Sequence, residues 1–208
     1  MEERLVARGI AAFIAALAAA AVTAAPVAAA GAAGTSKEQL KRGEYLVKYG
    51  GCNDCHTPKV MTPHGPAPDL SRLLSGHAAN APRSPAPPAG LIGPAPGQWA
   101  AITNADLTEW VGPWGTSFAA NLTPDPLTGL GSWTPGLFIK TMRTGRHFGA
   151  GRPLLPPMPW WNLAALSDRD LKAVFAYLMS LKPIRNTVPR PLPPPGPSGG
   201  KPASPQGG

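Results

Sequence analysis

Two cysteines, Cys52 and Cys55, are all that the 208 residues contain, so at most one disulfide can form and a disulfide-stapled scaffold is excluded. Acidic residues are scarce too, 11 Asp and Glu against 19 Lys and Arg, and charged residues make up only 14% of the chain. The basic residues are dispersed, without a run of five or more, which leaves nucleic-acid binding unsupported. A single apolar run approaches the length of a bilayer span, so a polytopic membrane protein is excluded. Internal repeats and the alternating pattern of strands are both missing. What the chain has in abundance is glycine (24) and proline (28), which keeps much of it out of regular helix and strand. One compact domain with long irregular segments fits this composition better than two domains.

The apolar run, residues 9–25, follows Arg4 and Arg8 and leads into the small-residue stretch PVAAAGAAG. A charged start, an apolar middle and Ala-x-Ala before Gly31 read as a secretory signal over 1–30, cut after Ala30. Glu2, Glu3 and the length of the run keep an uncleaved N-terminal anchor as the alternative. Either way the remainder lies across a membrane, in the periplasm of a Gram-negative host. The signal's four charges cancel, so the remainder carries the whole net charge of +8. A basic surface that docks on an acidic protein is the functional reading of that charge, and plain solubility the bland one.

Three helices are legible. Ser36 with Gln39 reads as a capping box opening a helix that Gly50-Gly51 ends. Thr134 as N-cap with Pro135 at the first position starts a second, with Leu137, Phe138, Ile139 and Met142 inward and Gly145 as the stop. Ser167 with Asp170 opens the last, in which Leu171, Val174, Phe175, Leu178 and Met179 repeat at helical spacing before Lys182-Pro183. Residues 57–131 are rich in Pro, Gly, Ala, Ser and Asn, and a structureless loop of that length implies an organiser other than a peptide core. Short helical turns at 69–74 and 105–110 are the expectation within it. Residues 187–208 read as a disordered, partly polyproline tail.

The first helix delivers the chain into Cys52-Asn53-Asp54-Cys55-His56. C-x-x-C-H reads as c-type haem attachment: thiols one helical turn apart can add to both vinyl groups, and the next His lies under the iron. A Cys52–Cys55 disulfide would close a tiny loop and add little stability. A thioredoxin-like pair needs a βαβ context, and a zinc site a fourth ligand, and neither is found. The iron's second axial position has six candidates: Met61, Met142, Met158, His64, His77 and His147. Met142 is on the inward face of a helix, while Met61 and His64 follow His56 too closely to reach the opposite haem face. Met158 remains, held on a stiff loop by Pro156, Pro157 and Pro159. Its alternative role is a core methionine beside Trp160.

In order, CNDCHTP, NLTPDPLTGLGSW, FIKTMRTGRH, LLPPMPW and LSDRDLKAVFAYLMSLKP resemble the class I cytochrome c domains of periplasmic cytochromes and of the cytochrome subunits of membrane-bound alcohol and gluconate dehydrogenases. The resemblance covers most of residues 36–186. It implies an all-α, class I cytochrome c-like fold in which the first and last helices cross around one covalently bound haem. It implies haem c held by Cys52 and Cys55, with iron ligated by His56 and Met158. It also implies that the Pro68 carbonyl accepts the proximal His N–H, although a proline-rich chain supplies such a match by coincidence as readily. Those subunits carry several C-x-x-C-H motifs and this chain has one.

Gly43 reads as a helix-crossing position at which Phe175 or Tyr177 packs on bare backbone. Trp133 and Trp160 are candidates for the haem pocket, and Asn121 and Asp125 for a structural loop at the haem edge rather than a cation site. These readings give a periplasmic electron carrier that is not itself an enzyme. Its partners would be a dehydrogenase donor and an oxidase or another cytochrome as acceptor, with the membrane contacted only through the N-terminal segment. An electron-accepting component of a periplasmic dehydrogenase is the second reading, and a haem sensor with an open distal site the third.

Overall fold

In the computed structural model the described residues are 35–194, so the signal or anchor at 1–30 and the end of the tail lie outside them. Ser36 accepts from the Gln39 N–H at 3.0 Å and starts α1, Lys37–Tyr49. The Gln39 side chain contacts the Lys172 carbonyl instead of returning to the cap, so half of the expected box forms. Gly51, at φ +65°, turns the chain into α2, Cys52–His56, a conformation that glycine adopts without penalty. Thr134 caps α3, Pro135–Thr144, through the Leu137 N–H, and Gly145 ends it at φ +61°. Two helices follow: α4, Trp160–Ala164, and α5, Asp168–Met179, capped by Ser167.

Helices α1 and α5 pack together, and the buried core gathers Val47, Leu74, Leu130, Phe138, Met142, Leu171, Val174, Phe175 and Leu178. At the crossing Gly43 is buried, and a Cβ there would overlap the Ala173 carbonyl oxygen and come within 2.8 Å of Tyr177 Cβ. Of the two residues expected at this contact Tyr177 makes it, whereas Phe175 packs on Phe138 with ring centroids 5.5 Å apart.

The all-α expectation is corrected by two small antiparallel sheets. One pairs β1, Lys59–Thr62, with β2, Gly65–Pro68. The other has β3, Ile102–Thr103, beside β4, Glu109–Gly112, and β5, Gly115–Phe118. Pro66 and Pro68 share one parity in β2, the non-hydrogen-bonded sites of a hairpin with a two-residue loop, so the ladder does not need their missing N–H groups. Strands of four residues or fewer, set by hairpin turns, leave no alternation long enough to read. Of the turn expected at 105–110 only the first part forms, with Leu107 N–H donating to the Asn104 carbonyl at 3.1 Å before β4 begins at Glu109, while Leu70–Arg72 does form a 3-10 turn capped by Asp69.

Buried polar pairs run through the long loop. Asn104 Oδ1 accepts from the Thr108 and Glu109 N–H groups, and the buried Glu109 carboxylate accepts from Ser84 N and Oγ. Buried polar groups of this kind are stable because they are paired. Past α5 the chain runs back over this region. The Ile184 carbonyl accepts from Asn121 Nδ2 at 2.8 Å, and Leu192, in the stretch read as tail, exchanges two 2.9 Å backbone bonds with Thr116 of β5.

Candidate functional site

Cys52 and Cys55 lie three residues apart on the single turn of α2, both half-buried and both free thiols. Burial pushes the Cys52 thiol up to about 11, and its own backbone contact offsets little of this. Cys55 is also raised, by burial first and by Asp54 second, with Lys59 opposing. Neither is an activated thiolate, which argues against a redox pair of the thioredoxin kind. Among the described residues no three His, Cys, Asp or Glu side chains converge as the ligands of a lone ion would.

His56 closes α2 and is 9% exposed. Its Nδ1 lies 2.7 Å from the Ala120 carbonyl oxygen, which can only accept, so Nδ1 carries the proton and Nε2 keeps its lone pair. Burial also holds the ring below its ordinary value and therefore neutral. The acceptor implied by resemblance, Pro68, lies opposite Lys59 in the β1–β2 hairpin, and the Ala120 carbonyl makes the bond in its place. Around this turn the Lys59 ammonium donates to the Asp54 carbonyl at 2.8 Å and to those of Asn53 and Thr57, which closes the C-terminal end of α2. The Thr57 hydroxyl accepts the Leu74 N–H at 3.0 Å, and Gly76 N–H donates to the His56 carbonyl at 2.8 Å.

Met158 is half-buried and packs on the same core cluster that Cys52 borders. Its loop is anchored to β5, where the buried Ser117 hydroxyl donates to the Pro156 carbonyl at 2.6 Å. Ser117 of β5 thus holds the Met158 loop, and Ala120, two residues past β5, holds His56.

The other distal candidates are disposed differently. Met142 is a core residue of α3, 8% exposed, whereas Met61 is 76% exposed and His64 is at the surface. His77 is buried and shares a 2.9 Å hydrogen bond with Thr108 Oγ1, and His147 packs against Trp133. Trp133 borders the core cluster beside His147 and Phe148, and Trp160 covers Gly145. The Asn121 and Asp125 side chains are satisfied by Thr123, Leu127 and Thr128 of the loop and by Ile184 past α5.

The donor set fits a haem. Two unpaired thiols stand one turn apart, a buried neutral imidazole keeps a free Nε2, and the side-chain oxygen of Asn53, between the thiols, is buried without a partner. Sequence reasoning missed Ala120, Lys59 and Ser117, since a backbone carbonyl and two ordinary polar side chains carry no motif.

No family model matches the chain. It is 32% identical over 159 residues to one of the subunits of nicotinate dehydrogenase from Pseudomonas putida, covering 76% of this chain and 10% of that protein. It is 31% identical over 147 residues to the cytochrome c subunit of a quinone-dependent alcohol dehydrogenase of Gluconobacter oxydans, covering 70% of this chain and 22% of that protein. Against the gluconate 2-dehydrogenase cytochrome c subunit of Pantoea cypripedii the figures are 30% over 140 residues, 67% of this chain and 22% of that protein. The chain therefore spans less than a quarter of these relatives' lengths. The resemblance read from the motifs, to cytochrome c domains of dehydrogenase subunits, is matched by these relatives over 147 and 140 residues of the chain.

Proposed function

From a chain similar to the cytochrome c subunits of dehydrogenases, we propose an exported c-type cytochrome that passes single electrons between periplasmic redox proteins. Cys52 and Cys55 would hold one haem covalently, and His56 Nε2 and Met158 would be the axial ligands of its iron. The observation that carries this reading is the Nδ1–H of His56 committed to the Ala120 carbonyl at 2.7 Å, which presents a free Nε2 directly after two thiols on one helical turn. Bound there, the haem supplies a one-electron couple whose potential a thioether ligand raises. The chain's own residues supply the rest. The Ala120 acceptor orients the ring and raises its basicity. Lys59 closes the turn, and Ser117 holds the loop that presents Met158.

The partner face is basic. No acidic residue lies between Asp125 and Asp168, a stretch that contains Met158, Lys140, Arg146 and Arg152. Among the described residues the four ion pairs use Arg42, Lys48, Arg72 and Arg143, so Lys140, Arg146 and Arg152 keep their charges unpaired. Two residues past Arg146, Phe148 is 49% exposed, an apolar centre for a charged rim. This surface suits an acidic redox partner. The relatives' names support a dehydrogenase as donor, which makes this chain its electron-accepting component or its soluble shuttle.

Expression with cytochrome c maturation machinery tests the assignment. One haem per chain should survive denaturation and acid-acetone extraction, and Cys55→Ala should leave a single thioether. A colourless extracted chain would sink it. Recovery of the native chain from solubilised membranes together with a dehydrogenase separates a complex component from a shuttle.

A further inference from the structure

Asn186 follows α5 in the stretch that runs back over the long loop, and its side-chain amide is fully engaged. Nδ2 donates to the carbonyls of Ser75 at 2.7 Å and His77 at 2.8 Å, and Oδ1 accepts the Ala79 N–H at 2.9 Å. Its backbone N–H donates to Thr128 Oγ1 at 3.0 Å, which fixes where the side chain starts. One amide therefore grips both ends of the turn at 75–79.

That turn is the one in contact with the candidate axial histidine. Gly76 N–H donates to the His56 carbonyl at 2.8 Å, and His77 N–H donates to the Ala119 carbonyl at 2.9 Å. The next carbonyl, that of Ala120, accepts the His56 Nδ1–H. Gly76, at φ +79°, leaves no space between the turn and this segment, since a Cβ would come within 2.6 Å of the Ala120 carbonyl oxygen. Ala120 itself is exposed. Water can compete for its carbonyl as soon as the turn loosens, so the ring's hydrogen bond depends on whatever clamps the turn.

We propose that Asn186 is a positioning residue for His56: its amide locks the 75–79 turn, the turn locks Ala119-Ala120, and the Ala120 carbonyl fixes the imidazole and its electron density. The inference rests on His56 as an iron ligand. It assigns to a residue 130 positions away in the sequence a part in setting the potential.

The test compares Asn186→Ala and Asn186→Asp with the parent, each as the full haem-loaded chain. Aspartate keeps the size and the acceptor for Ala79 N–H but loses both donations, so it reports on the clamp even where alanine lowers the yield of folded protein. The lost hydrogen bonds, two in the aspartate variant and three in the alanine variant, predict solvent exchange of the His56 Nδ1–H, followed by proton NMR in the reduced state, about tenfold to a hundredfold faster in both. The midpoint potential should rise in the uncharged Asn186→Ala variant, because a weakened N–H···O=C bond leaves less electron density on the ring to favour the oxidised iron. The methionine–iron absorption band should not change. Parental exchange of the His56 Nδ1–H in a haem-loaded Asn186→Asp protein would overturn the proposal. Absence of covalent haem from the parent chain would overturn the reading of the motif, and this inference with it.

Discussion

Met158 and His77 carry opposite loads. Met158 is half-buried at the rim of the core, so truncation removes little packing but takes away a thioether. Met158→Ala in the haem-loaded protein should retain covalent haem, lose the iron–sulfur charge-transfer band, lower the potential and bind carbon monoxide when reduced. Met142→Leu should do none of these and cost under about 1.5 kcal/mol, since it swaps one core side chain for another of similar volume. His77 is 2% exposed and is held below its ordinary value, first by burial, with Glu109 and Asp106 opposing. The unfolded chain binds a proton near pH 6.5 that the folded site resists, so the stability His77 contributes is full above that pH and is lost as pH falls below it. Urea unfolding at pH 7.5 and pH 5 should show that loss in the parent protein and less of it in His77→Gln. An equal fall in both proteins would place the acid sensitivity elsewhere.

Gly43 decides how closely two helices approach. In an open helix Gly→Ala stabilises by about 1 kcal/mol through backbone entropy. Here the added methyl meets the Ala173 carbonyl, part of α5's rigid backbone, and has no flexible side chain to displace. Overpacking in a core costs about 1–3 kcal/mol, and a backbone clash belongs at the upper end. Gly43→Ala should therefore destabilise by about 2 kcal/mol net, read from the denaturation midpoint at constant slope. Gly136, in the first turn of α3, meets nothing closer than the Thr134 hydroxyl at 4.0 Å, so Gly136→Ala should be neutral or stabilising. The crossing was legible because a glycine in the middle of an amphipathic helix has few other reasons to be there. The hairpins were not, because their pairing is specified by turn geometry and backbone bonds over strands too short to show a period.

Over the whole chain the net charge of +8 is distributed unevenly, with Lys140, Arg146 and Arg152 unpaired in the acid-free stretch around Met158. If that face docks, the bimolecular electron-transfer rate with an acidic partner should fall as salt shortens the Debye length below about 10 Å. The double substitution Arg146→Glu with Arg152→Glu should reduce the rate at low salt and flatten its salt dependence, whereas Lys37→Glu with Lys41→Glu, on α1, should do neither. A rate independent of salt would remove the docking claim. The sequence by itself determined the C-x-x-C-H pentad, three helices with their caps and the glycine at the crossing, and it singled out Met158, because each is encoded by local chemistry or by short-range spacing. Only the tertiary structure decided that the Ala120 carbonyl rather than that of Pro68 accepts the His56 Nδ1–H, that buried polar pairs run through the long loop, and that residues up to Leu192 return to β5. Those outcomes rest on backbone carbonyls and amides, which every residue carries alike, so no side-chain pattern marks them until the chain has folded.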